Sequence, residues 1–404
     1  MTDKRTANLL ILVAALGYFV DIYDLILFSV VRVKSLKAIG VPDEALLDNG
    51  VLLINMQMGG MLLGGILWGI LGDKRGRLSV LFGSILLYSA ANIANGFVDS
   101  VTGYAAWRFI AGIGLAGELG AGITLVSEVM HKEARGYGTT IVATIGICGA
   151  VAAVYVGKLF EWRTAYFVGG GLGLGLLLLR IGVYESGMFQ EVKKAAVRRG
   201  DFFSLFATPE RAKRYLSVIL IGVPIWYAVG VLITFAPEIG AAMGMSPKPE
   251  AAEAVKYCYI GLAIGDLGSG LISQAMRSRK KVILGFVLLT AACVAAYFLF
   301  GNSSLGVFYW VCGALGFATG YWAVFVTIAS EQFGTNIRAT VTTTAPNFVR
   351  GSVVPITLAF SGLKGVLGVQ GSAIAVGATT IVIALLALRG LEETFGKDLA
   401  YVES

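Results

Sequence analysis

The stretch SEVMHKEARGYGTT, Ser127 to Thr140, returns later in the chain as SEQFGTNIRATVTT, Ser330 to Thr343. A shift of 203 residues aligns the serine, glutamate, arginine and two threonines of the first stretch with those of the second. The same shift places GDKRGR, residues 72–77, on AMRSRK, residues 275–280. A single shift that aligns several separate stretches of the chain indicates an internal duplication.

The segments between these stretches are strongly apolar. Hydrophobic residues make up 56% of the 404 residues and charged residues only 14%. Runs of about 20 apolar residues recur along the chain, and each is long enough to cross about 30 Å of hydrocarbon as an α-helix. This composition excludes a soluble enzyme and predicts an all-α polytopic protein of the lipid bilayer.

The apolar runs predict twelve transmembrane helices. Together with the duplication, they predict two pseudo-symmetric six-helix bundles, residues 1–183 and 214–404, joined by a polar cytoplasmic linker at 184–213. The predicted spans are 7–31, 50–71, 78–98, 101–126, 137–157, 164–183, 215–237, 255–276, 281–300, 304–328, 339–362 and 370–390.

Lysine and arginine collect in alternate loops. Because basic loops stay on the cytoplasmic side, this predicts cytoplasmic N- and C-termini in an inner or plasma membrane. The net charge of +7 then reflects the basic residues of the cytoplasmic loops, and we expect no nucleic-acid partner. With His131 as the sole histidine and no ligand spacing among the four cysteines, we expect no metal site and no cofactor apart from a proton, in a monomeric protein.

Ionisable residues within membrane spans are costly and mark functional sites. Asp24 and Arg108 lie at similar depths in the first and fourth predicted spans, as do Asp266 and Arg350 in the eighth and eleventh. The sequence thus predicts an acid and an arginine within reach of each other in each half. Further intramembrane acids are Asp21, one helical turn from Asp24, and Glu118.

The polar residues around Arg350 predict a substrate site. The stretch TTTAPNFVRGSVVP, residues 342–355, places hydroxyl groups, Asn347 and two helix-bending prolines around one guanidinium, which suits a carboxylate better than a neutral sugar. The alternative is that Asp266 pairs with Arg350 and leaves a neutral site. Candidate aromatic walls, which could equally be packing residues, are Trp226, Tyr227, Tyr321 and Trp322.

Several motifs resemble those of the major facilitator superfamily. Gly69, Asp73, Gly76 and Arg77 are similar to its loop signature between the second and third helices, although the second half has Met276 in place of Asp73. Arg108 with its following glycines, then Glu128 and Arg135, resembles sugar porters and related organic-ion transporters. Glu118 in GELGAG and the ending EETFGKDL, residues 392–399, are most similar to the metabolite:proton symporter branch.

This resemblance implies a secondary transporter with alternating access and assigns Asp24 and Arg108 to proton coupling. The alternative is a purely structural ion pair between them. From their placement, Asp21 and Glu118 are either a second proton site or hydrogen-bond acceptors. Charged residues at helix ends could also pair across the cytoplasmic face as a latch, or simply anchor those ends at the interface. The latch candidates are Asp73, Arg77, Glu128, Arg135, Glu331 and Arg338.

The leading functional hypothesis is proton-coupled symport of a small organic anion. The alternatives are a sugar or polyol transporter, an organic cation or drug:proton antiporter, a channel and, more remotely, an intramembrane aspartyl protease using Asp24 and Asp266. The protease has no role for the duplication, and no filter-like segment supports a channel.

Overall fold

The computed structural model describes residues 4–75, 77–118, 135–185 and 202–397, and these residues are predominantly α-helical. The helices of the first half are α1 Lys4–Ala38, α2 Leu46–Arg75, α3 Arg77–Asn95, α4 Val101–Leu115, α5 Arg135–Leu159 and α6 Trp162–Glu185. Those of the second half are α7 Pro209–Tyr227, α8 Ala236–Ala242, α9 Ala251–Ala275, α10 Arg279–Phe300, α11 Leu305–Thr319, α12 Trp322–Glu331, α13 Thr335–Gly351 and α14 Val353–Arg389.

These helices correspond to the twelve predicted spans. Three spans of the second half are interrupted: α7 continues as a π-helix, Ala228–Ile233, the tenth span breaks at Gly320 between α11 and α12, and the eleventh comprises α13 and the first part of α14. Gly368, with a φ of 66°, separates the eleventh span from the twelfth within α14. Glycine adopts this left-handed conformation without the steric cost that a side chain would add.

Two helical segments reach into the last part of the predicted linker range. A short 3₁₀-helix covers Phe202–Phe206, and α7 already begins at Pro209, inside the predicted linker range of 184–213. Thr208 caps α7, because its side chain accepts a hydrogen bond from the backbone N–H of Arg211 at 3.3 Å. The cap allows the helix to begin within a polar sequence.

The duplication is visible in the local structure. Ser100 and Ser304 cap α4 and α11 in the same manner, each accepting a backbone N–H three residues ahead at 3.2 Å. Gly112 of α4 and Gly316 of α11 each lie where a Cβ atom would be about 2 Å from a backbone oxygen of the neighbouring helix. Both pairs lie 204 residues apart, one more than the 203-residue shift of the repeat, so the two halves use the same close helix packing at nearly equivalent positions.

Packing within each half positions the interface between them. In the first half α1 packs on α5, α2 on α4, and α3 on α4 and α6, while in the second half α9 packs on α11 and α7 on α14. The halves meet through α5 against α9 and α2 against α13. We call the side that carries the α2–α3 and α9–α10 connections and the C-terminal tail the termini face, and the side that carries the α1–α2 and α5–α6 connections the opposite face.

On the termini face, the tail after α14 is held against the start of α10. Glu393 accepts hydrogen bonds from the Ser278 hydroxyl and from the backbone N–H groups of Arg279 and Lys280. Partial burial opposes ionisation of this carboxyl, but these hydrogen bonds outweigh it and lower the pKa of Glu393 to about 2. An ionised Glu393 therefore caps α10 and fixes the tail.

Candidate functional site

Arg350 and Asp21 form a buried ion pair between the two halves. Asp21 lies on α1 and Arg350 near the end of α13, with Arg350 Nη2 3.3 Å from Asp21 Oδ2. The Asp21 side chain is 0% exposed and the Arg350 side chain 1% exposed. The Arg350 guanidinium also lies 5.8 Å from the centre of the Trp322 ring, at a distance that allows a cation–π contact. One acid, one arginine and one aromatic ring therefore meet at the centre of the interface.

Arg350 keeps unused hydrogen-bonding capacity. Within the described part of the chain, its Nε and Nη1 atoms and the Asp21 Oδ1 atom have no hydrogen-bond partner. Tyr18 lies within hydrogen-bonding reach of Arg350, and both Tyr18 and Tyr259 interact electrostatically with the pair. Buried charged groups are costly unless their donors and acceptors are satisfied, so this site has free donors suited to an incoming carboxylate.

Asp266 does not pair with Arg350. Its Oδ1 atom accepts a hydrogen bond from the backbone N–H of Ala323 at 2.7 Å, in the first turn of α12. The tenth span is broken at Gly320, and the new helix start exposes backbone donors that a carboxylate satisfies. The predicted alternative, an internal Asp266–Arg350 pair, is wrong for this structure, because Asp21 takes that place from the other half.

Asp24 and Arg108 lie in the interior of the first half. They interact electrostatically, but Arg108 donates its hydrogen bond to Gln57 and lies over the Phe28 ring at 4.3 Å. Neither oxygen of Asp24 has a hydrogen-bond partner of normal geometry among the described residues. Although Asp21 and Asp24 are one turn apart, the first faces the partner half and the second contacts α3, α4 and α6.

Glu118 pairs with Arg180. Two parallel hydrogen bonds of 2.9 Å join the guanidinium of α6 to the carboxylate just beyond α4, and both side chains are buried. Gly17 of α1 packs on this pair so closely that a Cβ atom would be 2.3 Å from Arg180 Nη2. Arg180 is thus a fixed partner of Glu118. This pair was not predicted, although Arg180 lies within the predicted sixth span.

Two of the predicted wall residues make hydrogen bonds within the second half. The Tyr227 hydroxyl donates to the Ala373 carbonyl at 2.7 Å, and the Tyr321 hydroxyl to the Ile221 carbonyl at 2.9 Å, so both tie helices of the second half together. Trp226 is buried in the same half. Of the four predicted aromatic residues, Trp322 is the one recorded beside Arg350.

Asn347 bridges the halves one helical turn from Arg350. Its Nδ2 atom donates to the Ala116 carbonyl at the end of α4 and to the Thr343 carbonyl of its own helix. Its Oδ1 atom is buried and has no hydrogen-bond partner in the described ranges. Asn347 therefore adds an acceptor to the termini-facing side of the site.

The predicted latch residues are only partly described. Glu128 and the side chains of Asp73, Arg77 and Arg135 lie outside the described residues. Glu331 pairs with Arg279 at 3.4 Å, and Arg338 donates to the carbonyl groups of Ser330 and Phe333. Both second-half residues thus make these recorded contacts within their own half rather than across the interface.

On the opposite face, the halves are joined by ion pairs that were not predicted from the sequence. Arg32, which is fully buried on α1, makes two hydrogen bonds of 2.7 Å to Glu238 of α8 and lies 4.7 Å from the Phe235 ring centre. Lys158 of α5 pairs with Glu253 of α9. These pairs join the halves, and a further inter-half pair on this face is Lys364–Asp48.

Breaking the Arg32–Glu238 pair is expected to open the opposite face. Glu238→Gln leaves a buried guanidinium without its counter-charge, which costs about 3–5 kcal/mol in the closed state and shifts the population towards the open one. Spin labels at Phe160 and Val366, on the opposite-face ends of α5 and of the eleventh span, should report longer distances by pulsed electron paramagnetic resonance. The matched control is Asp99→Asn, which breaks a pair with Arg163 inside the first half. Identical distance distributions in Glu238→Gln and the parent protein would show that the pair does not control closure.

Comparison with known proteins identifies the architecture. The family model described as Major Facilitator Superfamily matches residues 14–369, which is most of the chain. The chain belongs to the Major Facilitator Superfamily. The crystal structure of a D-xylose-proton symporter has the same fold, with a TM-score of 0.70 at 17% identity and coverage of 97% of this chain and 99% of that one.

Two relatives extend the comparison within this superfamily. A niacin transporter of Acinetobacter baylyi is 27% identical, over 69% of this chain and 70% of the relative. The 3-(3-hydroxy-phenyl)propionate transporter of Escherichia coli is 28% identical, over 71% and 73%. This major facilitator protein is accordingly a multi-pass membrane transporter and not an enzyme, and the protease alternative is wrong.

Proposed function

We propose that this transporter carries a small organic acid together with a proton, and that Arg350 binds the acid's carboxylate. The observation that supports this most directly is the buried Arg350 at the interface between the halves, whose Nε and Nη1 atoms are without partners among the described residues. A guanidinium offers a planar pair of donors that matches a carboxylate. Midplane sites between two repeats are also where secondary transporters bind their substrates.

The charge of the site links the proton to the substrate. With Asp21 ionised, the Asp21–Arg350 pair is neutral, and adding a carboxylate would bury a net negative charge at high cost. With Asp21 protonated, Arg350 and the carboxylate form the neutral pair instead. A proton and an anion therefore enter together, because Asp21, Arg350 and the bound carboxylate then sum to zero charge, as Asp21 and Arg350 do in the empty site.

The chemistry around Arg350 favours an aromatic acid. Trp322 provides an aromatic face beside the guanidinium, against which a flat ring could stack. The names of two relatives point the same way, because niacin and 3-(3-hydroxyphenyl)propionate each combine an aromatic ring with a carboxyl group. We therefore place aromatic monocarboxylates first among the candidate substrates.

Transport requires the two bundles, residues 1–183 and 214–404, to rock against each other about this site. We place the basic termini face in the cytoplasm of an inner or plasma membrane, with the chain acting as a monomer. The ion pairs on the opposite face then close the outer entrance. In the state in which the site is open to the cytoplasm, the transporter releases the acid and the proton there.

A sugar or polyol substrate has less support. The likeness to the xylose symporter is one of fold at 17% identity, and a neutral sugar would leave the charge of Arg350 uncompensated whenever Asp21 is protonated. An organic cation would be repelled by the same guanidinium. Both alternatives can be tested alongside the acids.

Ligand binding and proton uptake together test this proposal. Purified protein is heated with nicotinate, benzoate or 3-(3-hydroxyphenyl)propionate, and with nicotinamide, benzamide and xylose as neutral controls. A ligand at 100 times its Kd stabilises the folded state by about 2.7 kcal/mol, so a transported acid should raise the melting temperature measurably. In weakly buffered solution, each bound carboxylate should also remove about one proton from the medium, as the neutral-site argument requires.

The controls decide the substrate class. Stabilisation by xylose or by the amides, with none from the acids, would contradict the proposal. Binding of an acid without proton uptake would retain the substrate class but reject the linkage through Asp21.

A further inference from the structure

One face of α3 carries a row of buried polar residues that the substrate site does not use. Ser84, Tyr88 and Asn92 are spaced four residues apart, so their side chains lie above one another along one side of the helix. All three are at most 1% exposed. Ser89 is equally buried beside them. We call Ser84, Tyr88, Ser89 and Asn92 the polar ladder.

The ladder connects two acids of the first half. At one end, Asn92 lies beside the carboxylate of Asp24, and at the other, Ser84 Oγ is 3.5 Å from Glu118 Oε1. Tyr88 lies between the ends and interacts electrostatically with both acids. Ser84 and Asn92 are eight residues apart, a rise of about 12 Å along α3.

Several ladder atoms have no hydrogen-bond partner within the described ranges. Among the described residues, Tyr88 Oη, Ser89 Oγ, Asn92 Nδ2 and both oxygens of Asp24 lack a hydrogen-bond partner of normal geometry. Buried polar groups are satisfied by protein or by water, and polar groups within a membrane protein line polar or watered paths. The ladder thus presents buried hydroxyls and an amide whose unpaired hydrogen-bonding groups water molecules would satisfy.

The ladder is separate from the substrate site. The backbone of α6 covers it, since a Cβ atom at Gly173 would be 2.1 Å from Ser89 Oγ and one at Gly169 would be 2.3 Å from Asp24 Oδ1. The other charges that face it are Arg108 and Asp21 near Asp24, and Arg180 at Glu118. Arg350 belongs to the other half, on the far side of Asp21.

We propose that the polar ladder conducts the coupling proton between Asp24 and the Glu118–Arg180 pair, along a route inside the first half. This proposal rests on the proton-coupled function proposed above and adds the path to it. The Glu118 end lies nearer the termini face, because Ser84 is close to the start of α3 and Asn92 close to its end. In this scheme Asp21 passes its proton to Asp24, with which it interacts electrostatically, and the ladder leads the proton on from Asp24 towards the cytoplasm.

Each step transfers one proton and leaves the relay unchanged. The carboxyl O–H of Asp24 breaks as an O–H bond forms on a neighbouring water. Tyr88 accepts a proton on its hydroxyl oxygen and gives up its own to the next acceptor, and Ser84 does the same. Glu118 takes up the proton, which weakens its pairing with Arg180, and then releases it to water. Asn92 acts as a positioning residue, since its amide orients the carboxyl and first water without carrying the proton.

Tyr88→Phe tests the path, because it removes the relay hydroxyl and keeps the ring. The protein is reconstituted in liposomes, and uptake of radiolabelled nicotinate is measured in two ways: net uptake driven by a proton gradient, and counterflow at equal pH on both sides. Counterflow exchanges substrate without net proton release, so it should remain at the parent rate. Net uptake should fall at least about tenfold, which corresponds to about 1.4 kcal/mol of added barrier. The remaining uptake should also slow more in deuterium oxide than that of the parent.

The matched control is Tyr297→Phe, which removes an equally buried hydroxyl that donates to the Leu232 carbonyl in the second half. Ser84→Ala repeats the test at the other end of the ladder if Tyr88→Phe folds poorly. Unchanged net uptake, or equal losses of net uptake and counterflow, would overturn the path. If the parent protein itself shows no gradient-driven uptake of nicotinate, benzoate or 3-(3-hydroxyphenyl)propionate, the proposed function fails first, and that result is seen before any variant is compared.

Discussion

Asp24→Asn is expected to abolish uptake of the acid against its gradient while leaving exchange of the acid intact. Asparagine keeps the size and polarity of the side chain but cannot take up or release a proton. Because Asp24 contacts α3, α4 and α6 and not the Arg350 site, substrate binding should survive the change. The loss of concentrative uptake should be complete, since coupling requires a group that changes its protonation in every cycle.

The measurement compares accumulation under a proton gradient with counterflow at equal pH, in the same liposomes. Asp43→Asn, which changes an exposed acid paired with Lys37 on the opposite face, serves as the control and should behave as the parent does. Normal accumulation by Asp24→Asn would show that Asp24 is structural. Loss of counterflow as well would place Asp24 in the substrate site.

Arg350→Lys is expected to weaken binding of the acid by about 1–3 kcal/mol, or roughly one to two decades in Kd. Lysine keeps the positive charge but loses the paired donors that match a carboxylate. Arg350→Ala should bind more weakly still, and it also strands the buried carboxylate of Asp21 and lowers stability. Titration calorimetry with nicotinate and thermal unfolding of the same samples give the two quantities.

The double variant Asp21→Asn with Arg350→Gln separates binding from stability. Removing both charges should restore much of the folded-state stability, because no unpaired charge remains buried, whereas binding of the acid should stay lost. Arg211→Lys is the control, since Arg211 is buried at the termini face and donates to the Ser204 carbonyl. A stable double variant that binds nicotinate with near-parent affinity would remove Arg350 from the substrate site.

Hydropathy and the repeat were sufficient to predict the membrane class and the two-bundle fold. Both signals are local or periodic: a run of apolar residues is long enough to span the bilayer whatever surrounds it, and a duplicated segment keeps its register. The exception is the break at Gly320, where two helix ends occur inside the predicted tenth span and hydropathy carries no signal for them. Gly368 lies between the predicted eleventh and twelfth spans, as expected.

The same local signals identified six ionisable residues within the membrane, since a charge within an apolar run is visible in the sequence itself, although Arg180 in the predicted sixth span was not singled out. Asp21, Asp24, Arg108, Glu118, Asp266 and Arg350 were all found in this way. Depth in the span was also predictable from the helical rise, which is why Asp266 and Arg350 were expected to meet.

Only the tertiary structure decided which charges pair. Depth along a helix says nothing about the direction in which a side chain points or about which helix of the other half lies opposite. Arg350 meets Asp21 because α13 packs at the interface between the halves, and Glu118 meets Arg180 because α6 passes the end of α4. These contacts join residues far apart in the chain through helix packing, which depends on the shapes of many side chains together and is not written in the spacing of any one segment.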